Sequence, residues 1–187
     1  INDENIITLI NNPSSAIAIN SSDRVLQWSN YAFDGCTYEI FGSLLNGATL
    51  YLIPKDVASD ASALSEVIAK EELSVIFITT ALFNGLSEYD ASLLSSLLLL
   101  LFGGEKVSVS PVRKMLSGLG PNKILHVYGP TETTTYASCQ VISEISSEAV
   151  TIPIGKPLSN TGFYVLNSSK ELVLSLIHIS EPTRRSY

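Results

Sequence analysis

The residue types able to do chemistry gather first in one short stretch, Tyr128-Gly129-Pro130-Thr131-Glu132-Thr133-Thr134. An apolar run ends at Tyr128, Gly-Pro forces a sharp turn, and hydroxyls with a single carboxylate follow. Hydroxyls and turn amides suit a phosphate, and a carboxylate beside a phosphate is commonly a magnesium ligand. A polar turn capped by threonine has the same composition, so the residues alone leave both readings open. The second place is Asp34, a lone carboxylate between apolar neighbours. Burying it is expensive unless a positive group meets it. The alternative is an aspartate capping a helix that starts near Thr37. The third place is Gly103-Gly104-Glu105, at the end of another apolar run.

These residues need a scaffold, and the chain alternates apolar runs with helical stretches. Strands are predicted at 25–28, 49–53, 75–78, 97–102, 124–128, 136–142 and 161–166. A helix is predicted over 38–45, with Tyr38, Ile40, Phe41, Leu44 and Leu45 at helical spacing and Asn46-Gly47 as the stop. Another covers 62–73, with Leu64, Val67 and Ile68 on one face and Glu66, Lys70 and Glu71 on the other. A third starts with Ser110 as N-cap and Pro111 in the first turn, and runs to Leu119-Gly120. The fold class that follows is α/β, a mainly parallel sheet flanked by helices on both faces. Ligands of such sheets bind outside the carboxyl ends of the strands. That rule selects the loops after Trp28, Phe102 and Tyr128, which carry the three places above.

Composition narrows the classes. The chain has 187 residues, 45% hydrophobic and 16% charged, which describes a folded domain with a real core. A formal charge of -7 argues against a nucleic-acid partner, since phosphate backbones need clustered Lys and Arg. Cys36 and Cys139 are too few for a disulfide framework and read as free thiols in a reducing cytosol. The longest apolar run, 97–102, falls far short of the roughly 20 residues that cross a bilayer. A cytoplasmic location without membrane contact is expected. No signal peptide opens the chain, and position 1 is not Met, so it is expected to begin inside something longer. From about residue 175 the alternation stops, and the text resembles a translated sequencing-adapter read-through. Residues 175–187 are therefore set aside as non-native, and His178 receives no role.

The stretch around Gly129-Pro130-Thr131-Glu132 resembles the most characteristic motif of nonribosomal peptide synthetase adenylation domains, within the adenylate-forming, AMP-binding superfamily. Phe33-Asp34-Gly35-Cys36-Thr37-Tyr38-Glu39 is similar to the family's Phe-Asp-x-Ser motif, with Cys36 where Ser is usual. Gly103-Gly104-Glu105 resembles its adenine-side turn, and Ile152-Pro153-Ile154-Gly155-Lys156-Pro157 the segment leading out of the nucleotide site. The similarity covers residues 23–173 in order and spacing, making 1–174 part of the large N-terminal domain. It implies ATP and Mg²⁺, with Gly103, Gly104, Glu105, Tyr128, Gly129 and Thr131 at the nucleotide and Glu132 on the metal. It also implies that Asp34 pairs with the α-ammonium of an amino acid.

The family's side-chain pocket falls on Asp34, Gly35, Tyr38, Phe77, Leu101, Gly103, Val127 and Thr135. After Asp34 that set carries no charge, and two glycines leave volume between apolar walls. A charged or amide side chain would lose its water there with little to replace it. Isoleucine fits first, then leucine or valine, and Tyr38 is the one residue whose hydroxyl would favour a polar substrate. The implied reaction is attack of the substrate carboxylate on ATP, giving an aminoacyl-adenylate and pyrophosphate. Transfer to phosphopantetheine on a carrier domain follows, beside a condensation domain of the same synthetase. The family's upstream phosphate loop, downstream ribose segment and catalytic lysine have no match among these residues, so the chain is expected to hold half a site and to be inactive alone. The rival readings are an acyl- or aryl-CoA ligase of the same superfamily and a non-catalytic nucleotide-binding remnant.

Overall fold

The computed structural model describes residues 1–11, 15–54, 57, 60–89 and 91–173. The expected tail at 175–187 lies outside them. Among the described residues one sheet carries seven strands. They are β1 Arg24–Gln27, β2 Thr49–Leu52, β3 Val75–Thr79, β4 Leu99–Gly103, β5 Ile124–Tyr128, β6 Ser138–Ile142 and β7 Lys156–Pro157. Their order is β2-β1-β3-β4-β5-β6-β7. The first five run parallel. β6 runs against β5, and β7 against β6, a reversal that the alternation of elements does not reveal.

Helices cover both faces, as expected. They are α1 Asp3–Ile10, α2 Gly35–Leu45, α3 Ala61–Lys70, α4 Thr80–Leu86 and α5 Val109–Leu119. On one face Leu26, Ile76, Ile78, Leu100, Phe102 and Ile124 meet Leu64 and Ile68 of α3, Phe83 of α4 and Met115 of α5. Phe102 stacks on Phe83 at 4.0 Å and on His126 at 4.9 Å. On the other face Val25, Val75, Leu101, Leu125 and Val127 meet Leu9 and Ile10 of α1 and Tyr38 of α2. Strand side chains alternate between faces, so each run is apolar throughout because both faces are covered.

The helix ends follow local chemistry. Asp60 caps α3 through Ser62 N–H at 2.8 Å and Ala63 N–H at 3.1 Å. Past α2, Gly47 takes a left-handed φ of +73°, the expected stop. Two expectations need correction. Helix α5 starts earlier than Ser110, with Ser108 at the N-cap position and no side-chain capping bond. Residues 161–166 form no strand: they make an isolated bridge, Leu166 to Leu172, and leave Phe163, Tyr164, Val165 and Leu166 exposed. Strand propensity there has neither a partner ladder nor a covering layer to act through.

Candidate active site

Three loops meet at the carboxyl ends of the parallel strands. The loop after β1 leads into Asp34, at the N-cap position of α2. Asp34 has helical backbone angles and its carboxylate makes no capping bond, so the carboxylate is not occupied by the helix. Its carbonyl accepts Thr37 N–H at 2.9 Å and the Thr135 hydroxyl at 3.2 Å. The second contact joins residues 101 positions apart and fastens the loop after β5 onto the start of α2.

The pocket residues come together on the α1/α2 face. Phe77 pairs in register with Leu101, and Gly103 with Val127. A Cβ on Gly35 would stand 2.9 Å from the Phe77 ring, and one on Gly103 would meet the Val127 carbonyl at 2.2 Å. Both glycines are thus required by close approach, and neither can gain a side chain without displacing a neighbour. Leu101, Gly103, Val127 and Thr135 are buried, while Asp34 and Phe77 are half-buried.

Tyr38 sits deeper than its place in the pocket suggested. Its ring is 1% exposed and its hydroxyl donates to the Ile17 carbonyl at 2.8 Å. That hydroxyl is committed to the fold and offers nothing to a polar substrate. The tyrosine that reaches between Tyr38 and Phe77 is Tyr136, with ring centroids 5.3 Å and 5.4 Å from theirs. The Tyr136 hydroxyl is buried without a partner, an unusual state for a phenol. Tyr136 was read only as the start of a strand; its signal was its place directly after Thr135.

A second carboxylate, Glu39, ends the motif that begins at Phe33, and the sequence assigns it no role. Glu39 is fully buried in α2, and burial pushes it up from 4.5 to about 7 despite hydrogen bonds from Ser29 and Gln27. Burial likewise raises the Cys36 thiol, with Glu39 and Asp34 adding to the effect. Cys139 is pushed up to about 12 by burial. Both cysteines are free thiols and neither is activated as a nucleophile.

The nucleotide-side candidates are open rather than enclosed. Gly104, Glu105, Tyr128, Thr131 and Glu132 are exposed at the ends of β4 and β5. Gly104 has φ +102° with open space where a side chain would stand, and the Glu105 carbonyl is held by the Thr80 hydroxyl at 3.1 Å. Gly129 is demanded by its own loop, since a Cβ there would lie 2.6 Å from the Thr135 carbonyl. Thr134 and Thr135 both take left-handed φ, 66° and 63°, a strained pair for β-branched residues. Among the described residues no three acidic, histidine or cysteine side chains cluster for a metal. That fits Mg²⁺, which takes one or two carboxylates plus substrate phosphates, and does not suit a cation bound by protein alone. A cavity of about 260 Å³ opens nearby, lined by Thr133, Thr134 and Tyr136 with Asn5, Leu158 and Asn160. None of the predicted substrate or nucleotide residues lines it.

The sequence pattern of the family described as "AMP-binding enzyme" matches residues 2–175. The chain belongs to the AMP-binding enzyme family. Within that family it is 50% identical over 157 residues to bacitracin synthase 1 of Bacillus licheniformis, covering 84% of this chain and 3% of that protein. Surfactin synthase subunit 1 of Bacillus subtilis (strain 168) is 46% identical over 151 residues, 81% of this chain and 4% of that protein. This AMP-binding chain thus spans only a few per cent of the length of these relatives. Among solved structures it resembles PA1221, a nonribosomal peptide synthetase protein containing adenylation and PCP domains. The TM-score is 0.80 at 31% identity, covering 96% of this chain and 35% of that one. The N-terminal subdomain of Klebsiella oxytoca NpsA, at 23% identity and TM-score 0.76, shares the fold, covering 88% of this chain and 42% of that one. The expected α/β class and the expected family both hold. Among the described residues no helix is long and apolar enough to cross a membrane.

Proposed function

We propose that this chain is part of an adenylation domain, with residues 1–174 belonging to its large N-terminal domain, that activates a branched aliphatic amino acid. The observation that carries the reading is Asp34. Asp34 is half-buried and its carboxylate caps nothing, and the next residue, Gly35, lies against the ring of Phe77, which pairs in register with Leu101. A carboxylate in that position suits an α-ammonium, which a CoA ligase acting on a simple acid does not need to bind. Phe77, Leu101, Val127 and Tyr136 then take the side chain, isoleucine before leucine or valine; Gly35 and Gly103 let backbone and ring approach closely and, contrary to expectation, leave no depth of their own. Tyr38 contributes from behind, by packing on Tyr136.

The substrate carboxylate attacks the α-phosphorus of ATP and pyrophosphate leaves. The protein's part is to orient: Asp34 fixes the amino end, and Thr135 ties the two substrate-bearing loops together. Tyr128, Gly104 and Glu105 lie where the adenine end would rest, with Gly129 shaping the turn and Thr131 facing the phosphates. Glu132 would hold Mg²⁺, which when bound neutralises charge on the phosphates. Phosphopantetheine on a carrier domain is the proposed acceptor, with a condensation domain as neighbour and the cytoplasm as location. The test is amino-acid-dependent exchange of pyrophosphate into ATP by the full-length protein that carries this segment. Isoleucine, leucine or valine should lead, while aspartate, lysine and glutamine give almost nothing. A profile led by a charged amino acid would sink the pocket assignment.

A further inference from the structure

We infer that Glu39 is a positioning residue, a buried latch that shapes the loop between β1 and α2 and so sets Asp34 at the pocket. The inference rests on the reading of Asp34 as the ammonium partner. Every donor to the Glu39 carboxylate comes from the start of that loop or the end of β1. Ser29 N–H reaches both oxygens at 3.1 Å, the Ser29 hydroxyl donates at 2.7 Å, and Gln27 Nε2 lies at 3.4 Å. Gln27 Nε2 also donates to the Ser29 carbonyl at 2.5 Å, so the strand end and the latch form one network. The Ser29 hydroxyl is thereby seated against Gly35, where an added Cβ would lie 2.8 Å from it.

Packing does only part of this job. Trp28 is half-buried against the core beside β1, but Tyr31 and Phe33, nearer Asp34, are 69% and 70% exposed. Around them the loop makes only short-range bonds, Ala32 N–H to Asn30 Oδ1 and Phe33 N–H to the Asn30 carbonyl, both 2.9 Å. Past Trp28 the polar latch is what joins the first half of the loop to α2. Its location is also costly for a charged group, because burial raises the Glu39 carboxyl to about 7. A carboxyl kept at that cost to hold a substrate-bearing loop is placed for function.

The experiment uses the full-length protein with its preferred amino acid, comparing wild type, Glu39→Gln and Ser29→Ala. In Glu39→Gln one of the two acceptor oxygens becomes an NH₂ donor, so the Ser29 N–H and hydroxyl and the Gln27 amide share a single acceptor. KM for the amino acid should rise about tenfold, with KM for ATP and kcat within about threefold. Amide hydrogen exchange should quicken across 29–35 and stay unchanged in β4 and β5. Ser29→Ala keeps the backbone bond and should give the same pattern at about threefold, which serves if the Gln variant fails to fold. Unchanged KM for the amino acid, or equal rises in both KM values, would overturn the latch. Should the wild type activate no amino acid, the proposed function fails instead. The latch then stands on quickened exchange at 29–35 and falls if that exchange is unchanged.

Discussion

The two faces of the sheet are built to different rules. Under α3, α4 and α5 Leu26, Ile76, Ile78, Leu100, Phe102 and Ile124 form a continuous apolar layer, and Phe102 stacks between Phe83 and His126. Under α1 and α2 the same strands offer Gly103 beside Val127, a phenol without a partner at Tyr136, and a buried carboxylate at Glu39. Close packing gives stability, whereas the second face gives some of it up toward the strands' carboxyl ends to carry polar groups. The difference marks the second face as the one on which the proposed substrate pocket is to be tested.

The largest expected effect breaks the comparison at its functional end. Asp34→Ala in the full-length protein leaves the ammonium unpaired, a loss of about 3–5 kcal/mol, hundreds-fold or more in amino-acid-dependent exchange. Folding should be unaffected, because the Asp34 carboxylate caps nothing. Normal exchange by this variant would return Asp34 to a structural role.

A pair of truncations compares the faces directly. Phe102→Ala removes a fully buried, doubly stacked ring and should cost about 3–5 kcal/mol in denaturant unfolding. Phe77→Ala removes a half-buried ring from the open face and should cost about half as much, while shifting substrate preference toward bulkier side chains. Equal costs, with preference unchanged, would mean that the two faces do not differ in kind.

The smallest effect is in pH. Glu39 is raised from 4.5 to about 7, so its neutral form is favoured by folding. Its contribution to stability is fully present below pH 4.5 and is lost as pH rises through 7, by at most about 3 kcal/mol. His126 has the opposite sign: burial lowers it, so stability is present above its ordinary 6.5 and falls with acid. Unfolding free energies of wild type and Glu39→Gln between pH 5 and 8 should differ by a curve that follows only the Glu39 term. A difference independent of pH would remove the buried carboxylate from the account.

Much of this was readable from residues. Strands at 75–78 and 124–128 were within a residue of β3 and β5, because continuous apolar runs bounded by turns have few other outcomes. The loops after Trp28, Phe102 and Tyr128 do converge. Helix α2 was recognised, but its buried face was not. Periodicity favoured Tyr38, Ile40, Phe41, Leu44 and Leu45; Tyr38 is buried, but Phe41, Leu44 and Leu45 are exposed, while Glu39, Gly42 and Ser43 face inward. A hydrophobic count cannot see a helix that buries its small and polar side because a latch and a pocket need it. Nor could spacing show that the Tyr38 hydroxyl belongs to the Ile17 carbonyl, a partner 21 residues away.

The bond from Thr135 to the Asp34 carbonyl has a consequence for how the molecule comes into being. Neighbouring strands close loops of about two dozen residues, as Val75 does with Leu99 and Leu100 with Ile124. The corner at Asp34 closes 101. Loop entropy alone makes that longer closure only about 1 kcal/mol dearer, since the penalty grows with the logarithm of length. Order of synthesis is the sterner constraint. A chain growing from its amino end carries Asp34 through a hundred further residues before the hydroxyl that fixes its carbonyl has been made.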